Sequence, residues 1–171
     1  MGTAHRLSMD VEVINLDASA ATGIAHTLRA DFVFDGSSAV NSELNRINFH
    51  AAHNLLTGYA VEYHNSGGTS IGGLTEGGIY YVVRIDAEII QLTRTQADAL
   101  AMMPVVIDLD DSMRTGDAHT LRAAAAFDPI DTVDDTADTI TFDSAHGLAT
   151  GQAVVDRAAA GATISGLAGG T

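Results

Sequence analysis

Ile47-Asn48-Phe49-His50-Ala51-Ala52-His53-Asn54-Leu55-Leu56-Thr57-Gly58-Tyr59-Ala60-Val61 returns without a gap as Ile140-Thr141-Phe142-Asp143-Ser144-Ala145-His146-Gly147-Leu148-Ala149-Thr150-Gly151-Gln152-Ala153-Val154. The offset is 93 positions, and it also carries Gly23–Ala30 onto Gly116–Ala123, Phe34-Asp35 onto Phe127-Asp128 and Ile71-x-Gly73-Leu74 onto Ile164-x-Gly166-Leu167. Residues 1–78 overlay residues 94–171 with 33 identities in 78 pairs. A register held that long marks a tandem duplication, and a repeat of this kind governs the fold. Two full periods would be 186 residues, so the chain is two repeats lacking a counterpart of residues 79–93.

Working outward, Arg46–Phe49 and Tyr59–Tyr63 alternate apolar and polar residues as half-buried strands do. Ile79–Ile85 and Glu88–Thr93, joined at Asp86-Ala87, predict a β-hairpin. Thr95-x-x-Asp98 is a capping-box variant that opens a short helix over about 95–101. Val105–Leu109 and Ala118–Ala123 read as a further pair of strands facing each other, and 128–138 as an acidic linker. The expectation is an all-β protein of tandem small antiparallel β-barrel or sandwich modules with one short helix per repeat. Its expected divisions are the end of one repeat plus a linker (1–45), a complete repeat (46–138) and an incomplete one (139–171). Within the complete repeat lie a β module (46–94), the helix, a strand pair (105–126) and the linker. A period of 93 exceeds that of a solenoid coil, so the modules are expected as beads on a string. Lacking the 79–93 hairpin, the last module should expose strand edges that a neighbouring subunit's strand completes.

Composition narrows the functional classes. There are 22 Asp and Glu against 8 basic residues, all arginine, and the net charge is −14. Nucleic-acid binding by phosphate neutralisation and attraction to an anionic membrane are therefore not expected. With no cysteine, thiolate chemistry is excluded. The start MGTAHRLSMD lacks a signal-peptide pattern, and no apolar run reaches the ~18 residues of a membrane helix. Hydrophobic residues at 46% support packed cores, but aromatics at 5% make those cores thin and aliphatic.

Candidate sites follow from residue type. Asp108, Asp110, Asp111, Asp128, Asp131, Asp134 and Asp135 supply oxygens of the kind calcium takes, although their spacing matches no EF-hand or calcium roll. The bland reading is a solvated acidic face. Copy one keeps oxygens at most equivalent places, including Asn15, Asp17, Asp35, Asn41 and Asn45. Tyr59 and Tyr63 are candidates for stacking on a sugar, but copy two has Gln152 and Asp156 there. His53/His146 and His26/His119 recur at the repeat offset without clustered partners, so they are read as turn histidines bonding the backbone rather than as zinc ligands. There is no Gly-x-Ser-x-Gly elbow, and a lysine-dependent phosphate loop is ruled out. Paired glycosidase carboxylates stay open, since their separation depends on the fold.

The pattern Ile-x-Phe-x-x-Ala-His-x-Leu-x-Thr-Gly-x-Ala-Val, then Ile-x-Gly-Leu-x-x-Gly-x-Tyr-Tyr-Val-Val-x-x-Asp and Ile-x-Leu, resembles the tandem repeats of very large bacterial secreted and surface proteins of the adhesin type. Similar modules occur in phage tail fibres. The resemblance covers roughly residues 46–101 in copy one and stops before the Tyr-Tyr-Val-Val hairpin in copy two. Copy one departs from it at Asn54 and Tyr59. It implies a non-enzymatic structural role outside the cell, as adhesin, stalk or filament subunit, with neighbouring repeats or identical subunits as partners. The alternative is a carbohydrate- or receptor-binding module of a fibre. The resemblance supplies no catalytic residues and no certain cofactor.

Overall fold

The computed structural model describes residues 14–19, 26–116, 118–143, 146, 148, 153–158 and 164–167. Its elements in chain order are β1 (His26–Phe34), α1 (Gly36–Ala39), β2 (Val40–Asn41), β3 (Arg46–Asn48), β4 (Ala60–His64), β5 (Ile79–Arg84), β6 (Ile89–Thr93), α2 (Gln96–Leu100), β7 (His119–Phe127), α3 (Pro129–Thr132), β8 (Val133–Asp134), β9 (Thr139–Ile140) and β10 (Val155–Ala158). The protein is all-β and its strand pairs are antiparallel. Eight strands form one sheet in the order β10-β1-β7-β4-β5-β6-β3-β2, and β8-β9 stand apart as a two-stranded sheet.

The sheet is organised by the repeat. β1 and β7 occupy equivalent positions in the two copies, and they pair with each other along nine residues. Ala30 lies opposite Ala123, its own repeat equivalent, so a pseudo-twofold axis passes through that pair. The flanking strands obey it: Tyr63 on β4 faces Leu121 of β7, and the equivalent Asp156 on β10 faces Leu28 of β1. The copies therefore share one sheet rather than forming beads on a string, because the longest strand of each is completed by the other.

Alternation along these strands sends His26, Leu28, Ala30 and Phe34 to one side together with Leu121, Ala123, Ala125 and Phe127, all buried. Two cores result. The larger contains Phe34, Ile47, Leu55, Val61, Tyr63, Ile71, Tyr80, Val82, Ile90, Leu92, Leu109 and Leu121. The smaller is built from repeat equivalents: Leu16, Leu28, Phe127 and Ile164, with Ile140, Phe142, Leu148 and Val154 packed on them. It joins residues from both ends of the described chain.

Local chemistry explains most of the elements. The 79–93 hairpin forms as its pattern predicts, with Asp86 Oδ1 accepting from the amides of Glu88 and Ile89 at its turn. Thr95 caps α2, accepting from the Asp98 amide. The reading of 105–126 as a strand pair is corrected. Residues 119–127 pair with β1 and β4, while Val106 bridges Thr93 and Asp110 bridges Gly72. Apolar alternation at 105–109 marked burial of Ile107 and Leu109 without identifying the partner. Nor is 128–138 a linker: Asp128 caps α3, Pro129 opens it, and β8 follows. α1 is its equivalent, capped by Asp35, so the described residues hold more than one short helix per repeat. Gly73 and Gly166 are retained in both copies because each has φ near +90° and lies against a crossing backbone, at Asp108 and Asn15.

Candidate functional site

Four of the seven candidate carboxylates accept hydrogen bonds from residues within three positions of themselves. Asp110 Oδ1 accepts from the Ser112 amide and Asp111 from the Ser42 hydroxyl. Asp128 accepts from the Ile130 amide, and Asp134 accepts from the amides of Thr136 and Ala137. Asp135 accepts from the Thr136 hydroxyl, and Asp108 and Asp131 are exposed. The bond to Ser112 lowers the pKa of Asp110, as the bond to Ser37 lowers that of Asp35. Among the described residues, no three His, Asp or Glu side chains are placed to hold a metal ion. One pair of oxygens common to both copies has a structural use. Asn45 Oδ1 accepts from the Leu109 amide at 2.8 Å, and the equivalent Asp138 Oδ1 accepts from the Leu16 amide at 2.9 Å. Both residues have φ near +54°, a left-handed conformation that Asn and Asp tolerate better than most residues.

The tyrosines do not form one surface. Tyr63 is fully buried and offers no face to a sugar, which corrects that candidate; Tyr59 is half-buried. Burial raises the Tyr63 pKa, so its hydroxyl keeps its proton. That hydroxyl accepts from the Ile71 amide at 3.0 Å and lies 2.7 Å from His119 Nδ1. Burial lowers the His119 pKa, which favours the neutral ring.

The histidines divide into two kinds. His53 and His146 are turn residues, their Nδ1 atoms accepting from the amides of Leu55 and Leu148. His26 and His119 are strand residues with 0% exposure, which their isolated positions in sequence did not indicate. At the repeat equivalent of Tyr63–His119, Asp156 lies 3.3 Å from His26 Nδ1, with both groups buried. The same position thus carries a different buried partner in the two copies, a tyrosine hydroxyl in one and a carboxyl group in the other.

The strongest difference between the copies lies at the strand edges. In copy one the 79–93 hairpin joins two elements, since β5 pairs with β4 and β6 pairs with β3. It thereby links β4 to the β2-β3 pair within a single sheet. In copy two the equivalents of those elements are β10 and β8-β9, and they lie in separate sheets. Among the described residues, nothing pairs with the outer edge of β10 or with the edge of β9 that corresponds to the β6 side of β3. No protein-family profile, curated protein or solved structure matches the chain.

Proposed function

We propose that the chain is a non-enzymatic structural repeat of a long extracellular bacterial protein, a stalk, adhesin or filament subunit that assembles by strand complementation. One observation carries the reading: among the described residues, β10 and β9 lie in separate sheets where, in copy one, a single hairpin joins their equivalents. An open strand edge is a template for another strand, and backbone hydrogen bonds supply the affinity. The hairpin of an adjoining repeat fits both edges at once. Transferring the copy-one register by one period pairs Ala153, Val154 and Val155 with the incoming equivalents of Tyr81, Tyr80 and Ile79. Net charge of −14 without a lysine suits a salty exterior, where screening reduces self-repulsion between neighbouring subunits. Among the described residues, no helix is long and apolar enough to cross a membrane.

The test appends a second copy of residues 79–93 after Thr171. The extended chain should melt several degrees higher, the scale on which about 1 kcal/mol moves a domain of this size. It should also bind no free 79–93 peptide, while the original chain does. Equal melting temperatures and no peptide bound by either chain would overturn the reading.

A further inference from the structure

On the face of the sheet opposite the cores, Arg29, Arg122 and Arg157 line one cleft of about 260 Å³ together with Asp31, Ala153 and Val155. Three of the chain's eight basic residues thus meet in a protein of net charge −14, and Asp31 is the one carboxylate among the lining residues. The pseudo-twofold axis supplies an internal control, since Arg29 and Arg122 are repeat equivalents. Arg122 lies opposite Asp31 on β1 and Glu62 on β4. It donates from Nε and Nη2 to Asp31 at 2.7 and 3.1 Å, and these bonds lower the Asp31 pKa. Arg29 lies opposite Ala124 on β7 and Val155 on β10, neither of which has a side-chain acceptor. Its Nε is buried and has no hydrogen-bond partner among the described residues. Where copy one places His64 beside Arg122, copy two places Arg157.

We propose that this cleft binds a small oxyanion, such as a sulfate or a carboxylate, with Arg29 as its principal ligand and Arg157 and Arg122 flanking it. A guanidinium presents donors in a planar fork that matches two oxygens of such a group. The rest of the surface repels anions, but at physiological salt that repulsion is screened beyond about 8 Å, whereas the clustered arginines act at contact distance. Selection therefore favours a compact anion over a long polyanion, which would have to lie along the acidic surface. The source is either a free inorganic ion or an acidic group on a sugar, and the two share this chemistry.

Nuclear magnetic resonance of the arginine Nε–H groups reads the site directly. Sodium sulfate is titrated against sodium chloride at equal ionic strength, and a sulfated disaccharide forms a second arm. Sulfate should shift the Arg29 signal saturably. Ala124→Asp places a carboxylate opposite Arg29 as Asp31 stands opposite Arg122, so it should fold and weaken binding by about tenfold or more, the scale of a lost charge-assisted bond. Arg29→Gln should do the same, and Arg46→Gln, outside the cleft, should leave binding unchanged. Disaccharide binding tighter than inorganic sulfate assigns the site to a glycan, and equal binding assigns it to a free ion. Linear, non-saturating shifts matched by chloride would overturn the proposal, as would identical titrations of the original chain and Ala124→Asp.

Discussion

The half of the molecule built around Phe34–Ala123 and the half assembled from Leu16, Leu28 and Phe127–Leu167 use equivalent core positions, yet only the first has its sheet joined from β7 through to β2. Several of the residues kept identical hold backbone and core. His53 and His146 fix the same turn, Gly73 and Gly166 the same close approach, and Ala30 and Ala123 the axis itself. Changes fall both inside the core and on the outer face. Tyr63 became Asp156 inside the core, and Glu62 and His64 became Val155 and Arg157 on the outer face. Duplication has thus preserved a common frame while side chains in the core and on the outer face diverged at particular positions.

The comparison can be broken most severely at the buried pair. Tyr63→Phe removes the acceptor of the Ile71 amide and the partner of His119 Nδ1 in one step. A loss of about 1–3 kcal/mol is expected, because buried polar groups are left unsatisfied. Asp156→Asn keeps an acceptor for His26 and should cost less, as urea denaturation of the two variants would show. Equal losses would mean that the halves are not distinct in this respect.

A smaller effect comes from pH. Burial is the main cause that depresses the pKa of both His119 and His53 below the ordinary 6.5. The folded protein therefore holds these rings neutral while the unfolded chain protonates them. Stability is full above about pH 6.5 and falls as pH drops from there through the lower folded values. The carboxylates whose pKa is lowered, including Asp31, Asp86 and Glu76, also lose stability on acidification, but only below their ordinary values of 3.8 and 4.5. Urea unfolding between pH 7 and pH 5 should therefore show a decline set by histidine, which His119→Gln reduces.

Local signals made part of this fold legible in the sequence. The 79–93 hairpin, the Thr95 cap and the AHxLxTG turn are each specified by residues within a few positions of one another. The β1·β7 pairing was not legible, because a repeat announces that two strands are alike without saying that they bond to each other. The acidic residues are ambiguous in sequence for a related reason. Carboxylates that cap turns and carboxylates that ligate calcium have the same composition, and only the positions of amides such as those of Ser112 and Ile130 distinguish them. His26 and His119 look solitary in sequence, since their partners Asp156 and Tyr63 lie 130 and 56 residues away. The arginine cleft was hidden by the overall charge, which masks a local reversal of sign.

Amide hydrogen exchange, measured with and without a peptide of residues 77–93, tests the central claim most directly. Val61 and Tyr63, whose backbone faces β5, should be protected in both conditions. Their equivalents Val154 and Asp156 should exchange fast in the chain alone and become protected when the peptide is added. Strong protection of Val154 and Asp156 in the chain alone, or no gain with saturating peptide, would contradict an open edge waiting for the hairpin.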